Sequence, residues 1–157
     1  MKSKNLSEKI HRSVKSKGFK YIELPSVIEA NHIVQRSGEN FRKFMFSFKD
    51  INGKELCLRP DLTIASCLRY LENNLKVKEK IFYSGQAYRK VQSKKDKIIR
   101  NQIGFEILGS SNEKKDDREI INTSLKILQN IKYSSGIFTI SLSSFFSSLD
   151  PMISKPT

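Results

Sequence analysis

The segment Gln102-Ile103-Gly104-Phe105-Glu106-Ile107-Leu108 can satisfy its pattern in only one way. Its side chains alternate polar and apolar, which fits the two-residue period of a strand and not the 3.6-residue period of a helix. Ile103, Phe105 and Ile107 then share a core face, while Gln102, Gly104 and Glu106 share the other. That second face offers an amide, a gap and a carboxylate. A glycine weakens a strand unless something must approach closely, so Gly104 marks a point of close approach.

An earlier loop complements this strand. Leu58-Arg59-Pro60-Asp61-Leu62-Thr63 places a carboxylate and a hydroxyl at the entry to an apolar helical stripe of Ile64, Leu68 and Leu71. Asp61 has two readings, as a cap for that helix or as an acceptor for a cationic ligand. Glu106 has two as well, a solvated strand residue or a ligand contact.

The rest of the chain predicts an α+β fold, an antiparallel sheet flanked by helices. Helices are expected over 5–17, where Asn5 or Ser7 caps the start and Gly18 stops the end, over 27–36, from Pro60 to about Leu75, and over 116–131. Strands are expected over 19–24, 44–48, 55–58, 80–89, 98–108 and 137–142, with Asn52-Gly53 closing a hairpin. Residues 1–140 form the predicted core. The Ser-rich stretch 141–157, with Pro151 and Pro156, reads as an irregular tail and a truncated end.

Composition narrows the classes. With 157 residues and 38% hydrophobic content, one lean core is possible. No run of 18 apolar residues exists, so no membrane span is expected, and no apolar segment follows the basic start, which argues against a secretory signal. Cys57, Cys67, His11 and His32 lack metal-ligand spacing, so no metal site is expected, and two cysteines suit a reduced cytoplasm. The net charge of +13 raises nucleic-acid binding. The lysines are spread along the sequence, however, and only Lys94-Lys95-Asp96-Lys97 with Arg100 is dense. A solvated surface is the default, with an RNA-binding accessory role through that loop as the third functional reading.

Several segments resemble the class II aminoacyl-tRNA synthetase catalytic core in its histidyl branch. Gly18 to Pro25 with Glu29 is similar to the first motif, which implies a dimer. Leu58 to Thr63 resembles the amino-acid-holding loop, and Tyr83-Ser84-Gly85-Gln86-Ala87-Tyr88-Arg89 the start of the second motif, whose Arg contacts the ATP α-phosphate in the enzymes. Gln102 to Gly109 resembles the histidine-gripping strand. Asp116 and Glu119 match a helix start of the same family.

The branch holds histidyl-tRNA synthetases and the regulatory subunits of ATP phosphoribosyltransferase, synthetase-like proteins without aminoacylation. Asp61-Leu62-Thr63 in place of Glu-Gly-Thr, Val91 in place of a Glu, and Lys97-Ile98-Ile99 before Arg100 favour the second kind. No glycine-rich third motif is present. The resemblance therefore implies a non-catalytic cytoplasmic subunit that binds histidine through Asp61, Thr63, Gln102 and Glu106. Arg89 is a phosphate or ligand contact, or else a structural ion pair with Asp61 or Glu106. Gly85 and Ala87 leave room beside Arg89. No cofactor is implied beyond histidine as effector, and the partner is the short catalytic subunit, with a homodimer inside a hetero-oligomer. The alternative is a synthetase fragment that activates histidine with ATP.

Overall fold

The computed structural model describes residues 2–73, 77–91, 93 and 96–131. The expected strand at 137–142 and the tail from 141 lie outside them. The described chain divides into two compact units, one from residues within 1–21, 75–82 and 105–157, the other from residues within 22–74 and 83–104.

In the first unit, α1 (Lys2–Lys15) packs on α4 (Glu113–Ile131). Val14, Phe19, Phe82, Ile107 and Ile127 form the core, with Ile10, Phe105 and Ile120 against it. The presence and end of α1 were legible in the sequence. Its start was not, because the helix is already under way at Lys2 and runs past the capping candidates Asn5 and Ser7. Gly18 takes φ 82° and ends the element. α4 starts a turn earlier than acidic residues alone suggested, because Asn112 Oδ1 accepts the Lys115 N–H at 3.1 Å and caps it. Asp116 is therefore one turn inside the helix, buried and paired with Lys78, while Glu119 pairs with Lys80.

In the second unit, β2 (Val27–Glu29), β3 (Phe46–Lys49) and β4 (Glu55–Leu58) make an antiparallel sheet in the order β2-β4-β3. The hairpin register pairs Phe46 with Leu58 and Lys49 with Glu55. Its turn is held by Asp50, whose Oδ1 accepts from the N–H groups of Asn52 and Lys54, each at 2.9 Å, and Gly53 supplies the left-handed residue at φ 79°. The helix expected over 27–36 is half strand. Val27, Ile28 and Glu29 pair with β4, and only Ala30–Ser37 is α2. β-branched Val and Ile suit a ladder once a partner strand exists, and that long-range pairing overrides the local helical pattern. Ile28, Ala30, Ile33, Val34, Met45, Cys57 and Ala65 are the core of this unit. Cys57 is a buried free thiol, and burial pushes its pKa up to about 11.

The other sheet has the order β1-β5-β6, from β1 (Lys20–Tyr21), β5 (Glu79–Tyr88) and β6 (Ile99–Leu108). The fold class is α+β with antiparallel sheets and helices, as the sequence predicts. One departure is β1, which runs parallel to β5, with Lys20 opposite Ile81 and Tyr21 opposite Phe82.

Candidate functional site

The candidate site lies in the second unit, on the loop between β4 and α3 (Thr63–Glu72). A bare loop of this composition would be mobile, since fixing each residue costs about 1–2 kcal/mol. Here every residue from Arg59 to Thr63 is tied to a neighbouring element.

Arg59 does most of the tying. Its N–H donates to Ser26 O at 2.9 Å, and its carbonyl accepts the Tyr88 N–H at 3.0 Å. The residue is 5% exposed, and its guanidinium donates to three backbone carbonyls: Nε to Gln86 at 2.9 Å, Nη1 to Leu24 at 2.5 Å and to Pro25 at 2.9 Å. A Cβ at Gly85 would sit 2.5 Å from Arg59 Nη2. Gly85 therefore makes room for the arginine of the loop, and the expected space for a phosphate beside Arg89 is occupied at this position.

The same correction applies to Gly104. Its missing side chain admits the ring of Tyr83, which a Cβ would meet at 2.6 Å. The close approach inferred from Gly104 is real, and the visitor is a protein side chain. Tyr83 is buried, and its hydroxyl also makes a 3.1 Å hydrogen bond with Thr63 Oγ1.

Further ties converge on the loop. Arg89 Nε donates to Pro60 O at 2.8 Å, and the Leu62 N–H donates to Gln102 Oε1 at 3.3 Å. Asp61 Oδ1 accepts the Ile64 N–H at 3.1 Å, so the capping interaction is present although the helix is entered only at Thr63. The later start follows from Arg59, Pro60 and Leu62, which are buried and held in place before the first turn.

This leaves a defined set of groups facing outward. Asp61 Oδ2 lies 3.9 Å from Arg89 Nη2, and the two side chains are 22% and 34% exposed. That separation is at the limit of an ion pair, and water reaches both groups. The Arg89 guanidinium also lies over the Phe41 ring, 5.5 Å from its centroid. Gln102 has spent its carbonyl oxygen on Leu62 and keeps its amide NH2. The arrangement pairs an anionic acceptor with a cationic fork, which suits a ligand carrying both charges. Asp61, Thr63, Gln102 and Arg89 are thus brought together. Glu106 lies four residues along β6 from Gln102, half-buried, within the other compact unit. Among the described residues no cluster of His, Cys, Asp and Glu could hold a metal. No helix among them is long and apolar enough to cross a membrane.

The model of a family described as histidyl-tRNA synthetase matches residues 1–153. The chain belongs to the histidyl-tRNA synthetase family. Curated members similar to it include an ATP phosphoribosyltransferase regulatory subunit of Sinorhizobium medicae, 28% identical over 109 residues, 69% of this chain and 28% of that protein. Another, from Brucella anthropi, is 29% identical over 108 residues, 69% of this chain and 28% of that protein. The chain thus spans 28% of the length of these relatives. Among solved structures, a regulatory subunit/histidyl-tRNA synthetase from Bacillus halodurans C superposes with a TM-score of 0.69 at 24% identity, over 84% of this chain and 34% of that one. The apo histidyl-tRNA synthetase of S. aureus gives a TM-score of 0.65 at 22% identity, over 82% of this chain and 30% of that one. These likenesses fix the fold as class II aminoacyl-tRNA synthetase-like.

Proposed function

We propose that the chain acts as the regulatory subunit of ATP phosphoribosyltransferase, binding histidine and modulating the first step of histidine biosynthesis without catalysing a reaction itself. The observation that carries this reading is its similarity to curated proteins of that name. The site chemistry supports it. Histidine carries an ammonium and a carboxylate, and Asp61 and Arg89 offer the complementary charges 3.9 Å apart. Thr63 and the Gln102 amide line the same loop. Glu106 is the fourth proposed contact, on the strand alternation that puts it on the Gln102 face of β6. The partner would be the short catalytic subunit, with two copies of this chain forming a dimer. Regulation would follow from a difference in histidine affinity between two arrangements of the complex.

The test is the melting temperature of the purified chain with histidine, with ATP and with both. Stabilisation by histidine that is indifferent to ATP supports the regulatory reading. Synergy between the two ligands supports the second reading, histidine activation, which the family description favours. No response to histidine overturns both. In the reconstituted complex, Glu106→Ala is expected to abolish histidine feedback while leaving the subunits associated. Retained feedback would remove Glu106 from the site.

A further inference from the structure

The cations of the first unit fall into two groups. Lys78 and Lys80 are committed, to Asp116 and Glu119. Lys9, Arg12 and Lys15 on α1 are not. The first 22 residues hold seven lysines and arginines, Lys2, Lys4, Lys9, Arg12, Lys15, Lys17 and Lys20, against one acid, Glu8. Lys9, Arg12, Lys15, Lys17 and Lys20 are all exposed. None of the five makes an ion pair among the described residues.

Helical geometry gathers part of this charge. Residues three apart on a helix are neighbours, so Lys9, Arg12 and Lys15 form a row along the outside of α1, spaced about 4.5 Å in rise. Lys17 and Lys20 flank the Gly18 turn that follows. The opposite face of α1 is used up, since Val14 is fully buried and Ile10 packs beside it. That distinguishes between polyanions. An interfacial membrane helix must insert an apolar face into the lipid boundary, and α1 has already spent its apolar face on the core. What remains is a row of charges, the kind of surface that meets a polymer of regularly spaced phosphates.

We propose that the outer face of α1, with Lys9, Arg12 and Lys15 at its centre and Lys17 and Lys20 beyond, binds the phosphodiester backbone of a nucleic acid without regard to sequence. These residues belong to the first unit, the Asp61 loop and the Lys94–Arg100 segment to the second, and the proposal stands whether or not the chain senses histidine.

The experiment is fluorescence anisotropy of a labelled, mixed-sequence 20-base-pair RNA duplex with the full chain, between 50 and 200 mM KCl. Five phosphate contacts predict a slope of about −4.5, so affinity should fall by about 500-fold across that range. The triple variant Lys9→Gln, Arg12→Gln, Lys15→Gln should cut the slope of log K against log salt by about 2–3. It should also weaken binding by about 100-fold at 100 mM salt. Gln is a good helix former at exposed positions, so α1 is retained. Lys9→Arg with Lys15→Arg should bind as the natural sequence does. A control that removes equal charge from the second unit, Lys43→Gln, Lys49→Gln, Lys97→Gln, should weaken binding by less than threefold. Equal losses in both triple variants would mean that net charge alone acts, and would overturn the proposal. So would absence of binding at 50 mM, or binding to phosphatidylserine vesicles with none to the duplex.

Discussion

Arg59 and Gly85 illustrate how much of this site is packing. The guanidinium satisfies three carbonyls and needs the volume that a side chain at 85 would take. Arg59→Met removes those donors and leaves buried carbonyls without partners. A loss of about 3 kcal/mol is expected in urea titration, since each buried unpaired group costs roughly 1–3 kcal/mol. Gly104→Ala drives a methyl group into the Tyr83 ring, and overpacking of this kind costs about 1–3 kcal/mol. Its specific mark would be loss of the Thr63 contact, so Gly104→Ala should weaken histidine binding as well as stability, whereas Thr63→Val should weaken binding alone. Asp61→Asn removes the charge facing a ligand ammonium but keeps an oxygen for the Ile64 N–H. Calorimetry with histidine should show affinity falling by about tenfold or more with little change in melting temperature, given about 1.5–3 kcal/mol for a hydrogen bond to a charged group. These outcomes separate the cap from the ligand contact, which the sequence left open at Asp61.

Among the elements, α4 carries the clearest electrostatic signature. Burial acts to raise the Asp116 carboxyl, but the hydrogen bonds from Lys78 and Ser110 and the charges of Lys78 and Lys115 prevail, and the group lies below its usual value of 3.8. A depressed carboxyl stabilises the fold above its unfolded value and loses that stabilisation as pH falls through its folded value. The melting-temperature gap between the natural protein and Asp116→Asn should therefore be constant near neutral pH and close as pH drops below 3.8. Lys78 is 38% exposed, so solvent screens the pair and about 1 kcal/mol is at stake. A gap unchanged down to pH 2 would show that the pair adds nothing. The elements also show what a sequence can reveal. The hairpin and β6 could be read directly, because alternation and an Asn-Gly turn are local. β2 could not, because Val27–Glu29 is a strand only where β4 lies beside it. Likewise α3 looked longer than it is, because the ties that hold Arg59 to Leu62 out of the helix come from Gln86, Tyr88, Arg89 and Gln102, all distant in sequence.

For the molecule as a whole, the α+β class was legible from the pattern of helices and strands and the histidyl family from short motifs, and the parallel placement of β1 was not. Polar residues in a strand announce a ligand and a protein partner alike. Gly104 was correctly read as a point of close approach, yet only coordinates distinguish the Tyr83 ring from a bound molecule. The charge pattern misled in the opposite sense. Basic residues spread through the sequence looked unremarkable, and folding gives three of them, Lys9, Arg12 and Lys15, a shared outward face on α1.

The contact between Arg59 and the missing side chain at Gly85 has a genetic consequence. Two positions 26 residues apart in sequence share one volume, so neither can drift alone. Gly85→Ala should be severe when Arg59 is present and nearly silent once Arg59→Met has vacated the space. A double-mutant cycle should give an interaction energy of about 1–3 kcal/mol, where independent sites would add within about 0.5 kcal/mol. Lineages in which residue 85 has gained a side chain should then also have lost the arginine at 59.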